Sequence, residues 1–354
     1  MKKFIPLFIG LLFISSCSRE DGGDPPPGSV SGGIFILNEG LFGQNNSSLT
    51  FYNPETGDVI NDVYRNANSN TSMGDNANHM FIFDDQGYIA VNGSNKVEVI
   101  DLQTFVSQGF INLGQGASPR EVFINDSASG YVTSHLGEVI KFNPETKSVL
   151  SSVFVDSKPE GIAESGGKLF VANSWFGDTL NISNTISVID IPTDIEILRI
   201  QVGINPTKVL SGPDGLIYVL STGSYTDPNI FSGVYIIDPF THLLVDSIAV
   251  TGNPFEACFI NNDRMLVVNS AGVMDVNLLN RTVSAQPLIP TSTVTTFQFG
   301  LIYSVAYDDI RQVILCGNPK DFQQNGEVVL FDLNGTEIRR INVGINPGTI
   351  ILNF

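Results

Sequence analysis

The chain has 354 residues and sets 18 Lys and Arg against 36 Asp and Glu, a formal net charge of −18. A surface this acidic repels phosphate backbones and anionic head groups, which excludes nucleic acid and charged lipid as partners of the folded part. Three cysteines are too few for a disulfide scaffold; Cys258 and Cys316 sit in apolar strand contexts that read as buried thiols, with a disulfide left open.

Residues 1–16 read as a secretory leader. Lys2 and Lys3 precede the apolar run Phe4–Ile14, which is too short to span a bilayer as a mature helix. The run ends in Ile14-Ser15-Ser16-Cys17, which resembles a bacterial lipobox. That resemblance implies acylation at Cys17 and a membrane link through lipid alone. Residues 17–32, dominated by Gly, Ser, Pro and acidic side chains, read as a flexible tether. The acidic residues just after Cys17 resemble the signal that sends lipoproteins of Bacteroides-type bacteria to the outer face of the outer membrane; periplasmic retention is the alternative.

Residues 33–354 carry short runs of Val, Ile, Phe and Tyr broken by Asn, Asp, Gly, Pro and Ser, the chemistry of strands and turns. One pattern recurs: an apolar residue, an Asp or Asn four positions on, and usually Thr three further. It appears at Leu49/Asn53/Thr56, Val97/Asp101/Thr104, Val139/Asn143/Thr146, Ile186/Asp190/Thr193 and Val234/Asp238/Thr241, with degenerate copies at Val273/Asn277 and Val328/Asp332. A mean period of about 46 residues with four short strands per unit specifies propeller blades. Gly33–Asn38 lacks a preceding first strand and 346–354 lacks a following second one, so pairing the two closes blade one. The expected architecture is all-β, a seven-bladed propeller closed by its C-terminal strand.

Propeller topology puts the second-to-third and fourth-to-first loops on one face. The second-to-third loops are long in blades one, four, five and seven and short elsewhere, and insertions crowded on one face mark a binding surface. These loops carry Phe42, Trp175, Phe176, Tyr225, Phe231 and Phe322, suited to flat apolar contact with a ligand or to covering the blade tops. A Pro recurs before the first strands, at Pro119, Pro159, Pro206, Pro254 and Pro347, and sets φ where no N–H is needed. Arg120, Glu160, Lys208 and Glu256 follow it, with His79 in the corresponding place of blade two, all expected around the channel mouth. Glu39 opens the long loop of blade one. Charges of both signs there either orient a polar ligand or pair with each other.

Catalytic signatures are missing from the sequence. His79, His135 and His242 have no metal-ligand spacing, although His79 and His135 reach one face from neighbouring blades, and no nucleophile elbow or phosphate loop occurs. Asn38, Asn92, Asn173 and Asn269 recur where second strands end. They read as strand-end caps, with a channel metal as the alternative. No cofactor and no metal is expected.

The runs Lys96–Phe105, Ser118–Val132 and Asn205–Ser221 resemble YncE-like or surface-layer-type seven-bladed propellers. The opening Gly33–Val59 is similar to surface lipoprotein propellers of Bacteroides-type bacteria. One group of this appearance, the cobalamin-capturing BtuG propellers, sits on an outer-membrane transporter. The resemblance implies a surface lipoprotein that captures a small-molecule ligand, first a corrinoid, for a transporter, although no corrinoid motif can be matched residue by residue. The alternatives are a glycan- or protein-binding scaffold and a metal-dependent hydrolase in the channel.

Overall fold

The computed structural model describes residues 32–156, 158–174, 183–227, 229–298 and 300–354. Cys17, the leader, most of the tether, Trp175 and Phe176 lie outside them. Within them the chain forms seven antiparallel sheets, each in simple up-and-down order. The ring runs from blade two, Ala77–Asn112, through blades three (Pro119–Phe154), four (Pro159–Gln201), five (Pro206–Ala249) and six (Glu256–Val283) to seven (Ser304–Ile345).

Blade one draws its strands from both termini. Pro347–Asn353 pairs antiparallel with Gly33–Asn38 in the register Ile34–Leu352, Ile36–Ile350 and Leu37–Thr349. Closure by the last strand follows the expectation. It removes the open edge that Gly33–Asn38, buried along its whole length, would otherwise present.

The core lies between blades. Alternation along each inner strand sends neighbouring side chains to opposite faces, and both faces are buried. In blade six Leu266 and Val268 pack toward blade seven, whereas Met265 and Val267 pack toward blade five. In blade seven Ile314 and Cys316 face blade six while Leu315 faces blade one. Seven such clusters, one per interface, complete the ring among the described residues. Cys258 and Cys316 contribute free thiols to the cluster between blades six and seven.

The recurring Asp-x-x-Thr is a turn device. Asp101 Oδ1 accepts from the backbone N–H of Gln103 and Thr104 and from the Thr104 hydroxyl, at 3.1, 2.7 and 2.7 Å. Phe105 then takes a left-handed φ of 60°, which turns the chain into the outer strand. Asp238 repeats the arrangement with Phe240, Thr241 and a left-handed His242. The sequence period is therefore the period of a side-chain-capped hairpin.

Two connections differ from the simple repeat. Between blades one and two a short helix, Val63–Ala67, buries Tyr64, whose hydroxyl donates to Glu98 Oε1 at 3.0 Å; Lys96 Nζ lies 2.6 Å from the other oxygen. Blade six has an outer strand of only two residues, Thr282–Val283. Ile289–Pro290 pairs back on its third strand ahead of a second short helix, Thr291–Val294. No helix of the described residues is long and apolar enough to cross a membrane.

Candidate channel-mouth site

The residue before each first-strand proline is left-handed: Ser118, Lys158, Asn205, Asn253 and Asn346, all with φ between 43° and 57°. The chain thus drops sharply into the channel, and a β-bulge follows in blades one to five, between Pro347/Thr349, Ala77/His79, Pro119/Val122, Pro159/Ile162 and Pro206/Lys208. A bulge breaks the period-two alternation, so two consecutive side chains meet the channel. Asn78 with His79, Arg120 with Glu121, and Thr207 with Lys208 all line one cavity of about 700 Å³ at the mouth. Glu160, Glu256 and Phe255 join from their own first strands or the residue ahead, and Glu39, Thr222, Tyr225 and Ser270 from second-to-third loops. Gly300, Leu301 and Tyr303 come from the connection between blades six and seven, so both loop classes of one face converge there.

The charges form bars across the opening. Arg120 Nε donates to Glu160 Oε2 at 2.7 Å, and His135 Nε2 lies 2.8 Å from Glu160 Oε1. Lys208 Nζ sits 3.1 Å from Glu121 Oε1 and 3.3 Å from Glu256 Oε2, so one ammonium joins blades three, five and six. Glu121 also accepts from the backbone N–H of Ile162 at 3.2 Å. Burial alone would raise the Glu160 carboxyl, but Arg120 and His135 outweigh it and hold it below the usual range. Glu121 is held down in the same way by Lys208, whereas burial keeps Glu256 above the ordinary value despite Lys208. His79 is pushed down to about 4 by burial, and its Nδ1 accepts from the Val122 N–H at 3.3 Å, so it is neutral with the proton on Nε2.

Glu39 behaves differently. Tyr303 donates its hydroxyl to Glu39 Oε2 at 2.8 Å and Asn78 Nδ2 lies 3.5 Å from Oε1, yet no ion pair among the described residues includes this carboxyl. Burial pushes it up to about 7, with the Tyr303 hydroxyl and Arg120 pulling against burial. Gly348 lets it lie there, since a Cβ at that position would stand 2.6 Å from Glu39 Oε1. A carboxyl raised by folding binds its proton more tightly in the native state, so its contribution to stability falls as pH rises from the unfolded value toward 7. Glu39→Gln is therefore expected to raise stability at pH 8 by on the order of 1–2 kcal/mol, after discounting for solvent contact, and to change little near pH 4. Urea denaturation at the two pH values checks this; equal effects at both would contradict it.

The remaining residues singled out in the sequence fall around this site. Of the loop aromatics, Tyr225 lines the cavity and is 71% exposed. Phe322 packs edge-on against Tyr303 with ring centroids 5.6 Å apart, and so backs the lining rather than forming it. Phe231 packs edge-on against Tyr235, and Phe42 is exposed on its loop; both stand outside the lining, as does His135, which acts through Glu160. Glu121, Asn78, Phe255 and Tyr303 are lining residues that the sequence did not reveal. Hydrogen bonding marks the recurrent asparagines as strand ties: Asn92 Nδ2 donates to Pro119 O, Asn173 Nδ2 to Ser187 Oγ and Asn269 Nδ2 to Thr251 O, at 3.2, 2.9 and 2.7 Å.

The fold is shared with solved structures at low identity. A quinonprotein alcohol dehydrogenase-like protein from Bacteroides thetaiotaomicron superposes with a TM-score of 0.66 at 14% identity, covering 92% of this chain and 78% of that one. Hydrazine synthase from Kuenenia stuttgartiensis superposes with a TM-score of 0.63 at 16% identity, covering 77% of this chain and 88% of that one. At such identities the likeness extends to the propeller architecture alone. No curated protein matches the chain in sequence. A family model described as a domain of unknown function, DUF5074, matches residues 32–346, which is nearly the whole propeller, and the chain belongs to that family.

Proposed function

We propose that this propeller captures a small polar solute at its channel mouth and holds it without transforming it. The observation that carries this reading is convergence. The long loops of blades one and five and the first-strand charges of both signs meet in one cavity of about 700 Å³. Pairing of Arg120, Lys208 and their carboxylate partners supports holding, because it fixes the polar groups before a ligand arrives. Acylation of Cys17 would tether the cavity to an outer membrane, where the protein would act as a surface accessory to a nutrient transporter. A corrinoid is the first solute to test, and a glycan the second.

The test is thermal melting of the purified protein with millimolar cyanocobalamin, small oligosaccharides, amines or organic acids. A binder at about 100 times its Kd stabilises by about 2.7 kcal/mol. At least one solute is expected to raise the melting temperature by a few degrees, and Tyr225→Ala to remove part of that rise. No shift with any of them would remove the reading. One observation favours a second reading. A carboxyl pushed up to about 7 beside a tyrosine hydroxyl has the properties of a general acid–base. Hydrolysis of a glycoside or ester that Glu39→Gln abolishes would establish it instead.

A further inference from the structure

The charge inventory of the mouth does not balance. Four carboxylates line the cavity, Glu39, Glu121, Glu160 and Glu256, against the cations Arg120 and Lys208. Arg120 is taken by Glu160, and Lys208 is shared between Glu121 and Glu256. Glu39 is left with a phenol, a long amide contact and the more distant charge of Arg120, which is already paired with Glu160. A carboxylate withdrawn from water without a counter-charge is costly, and what it lacks is a cation.

A second observation is independent of charge. Asn78 Oδ1, on the side chain whose nitrogen reaches toward Glu39, is buried without a hydrogen-bond partner, and so is Thr207 Oγ1 elsewhere in the same cavity. Buried polar atoms are nearly always satisfied, so the unpartnered oxygen on the side chain that reaches Glu39 shows that hydrogen bonding at this part of the wall is incomplete. A cavity-lining carboxylate with no ion-pair partner among the described residues, set in a wall whose hydrogen bonding is incomplete, calls for a positively charged group with several N–H donors. One carboxylate offers fewer ligands than the six to eight oxygens a calcium ion takes. Phe255 and Tyr225 add apolar and aromatic surface, which suits the methylene chain behind an ammonium.

We infer that the anchoring group of the captured solute is a primary ammonium, bound by Glu39 where Asn78 flanks it in the cavity wall. This deepens the capture reading and rests on it. The groups facing Glu39 are Tyr303 ahead of blade seven, Arg120 on blade three, Glu160 on blade four and Asn78 on blade two; of the charged pair, Arg120 favours the ionised form and Glu160 opposes it. An ammonium ligand binds the ionised form, so binding strengthens as pH rises through about 7.

The probe is cadaverine, with 1,5-pentanediol as its neutral isostere, titrated calorimetrically into the purified protein. At pH 8 cadaverine is expected to bind at least about tenfold more tightly than the diol, the scale of one desolvated charge contact. Its affinity is expected to weaken by about tenfold at pH 6, as a carboxyl with a pKa of about 7 takes up its proton. Glu39→Gln should erase the preference while melting at least as high as the parent, which separates loss of recognition from loss of fold. Equal affinity for the two probes, affinity independent of pH, or a preference that survives Glu39→Gln would overturn the inference. Calcium chloride binding in place of the diamine would overturn it as well. Should cyanocobalamin or an oligosaccharide occupy the cavity while cadaverine does not, the ammonium is wrong and capture stands. If no solute binds, both fall.

Discussion

Lys208→Met is expected to destabilise the protein by about 3–5 kcal/mol, because it leaves two enclosed carboxylates without their shared cation. The side chains of Lys208, Glu121 and Glu256 are only 18%, 16% and 17% exposed, so water replaces little of what is lost. Methionine matches the lysine stem in volume, which confines the effect to charge. Burial on its own would drive the Lys208 ammonium down, yet Glu121 and Glu256 carry it above its ordinary value. The pH dependence has a definite sign. Glu121 lies below the ordinary carboxylate range in the parent, so its pairing contributes stability above that range that is lost as pH falls. In Lys208→Met that contribution is gone and the bare carboxyls titrate upward, so the deficit is largest above neutrality and shrinks on acidification. Adding Glu121→Gln and Glu256→Gln should recover most of it. Denaturant midpoints across pH measure all three variants, and a Lys208→Met cost below about 1 kcal/mol would mean that the bar is solvated.

Deleting residues 347–354 is expected to abolish cooperative folding. This segment is the innermost strand of blade one, and its loss bares Ile34–Leu37, each at most 1% exposed in the closed ring. Ile350 and Leu352 pack toward blade seven and Ile351 toward blade two, so two interfaces open at once. Tethers to both neighbours also go: Ser304 Oγ to Pro347 O at 2.8 Å, and Thr349 Oγ1 to Asn78 O at 3.0 Å. The combined loss is roughly the 5–15 kcal/mol that holds an ordinary domain together. Circular dichroism on heating should show a broad or absent transition, with association through the open edge in size exclusion. A truncated chain that melts sharply within a few degrees of the parent would show that the ring does not depend on its closure.

The repeat was legible because each copy carries its own turn chemistry. Asp101, Asn143 and Asp238 bond the N–H groups two or three residues on, a purely local requirement that leaves a mark in the sequence. Arg120, Glu160, Lys208 and Glu256 were placed at the mouth by the proline ahead of them for the same local reason. Glu121 and Asn78 escaped because strict alternation sends them away from the channel, and the bulge that turns them inward has no composition cue. Tyr303 escaped because no proline precedes it and the connection from blade six is irregular. Phe42, Phe231 and Phe322 were grouped with Tyr225 by residue type and loop length. Which ring reaches the cavity depends instead on side-chain packing, such as Phe322 against Tyr303, that spacing cannot show.

Diffraction from crystals soaked in a solute that raises the melting temperature tests the central claim most directly. Capture predicts density at the channel mouth, within hydrogen-bond reach of Glu39 or of the Lys208 bar and against Tyr225. Density on the opposite face or along the outer strands, with the mouth holding only water, would contradict it.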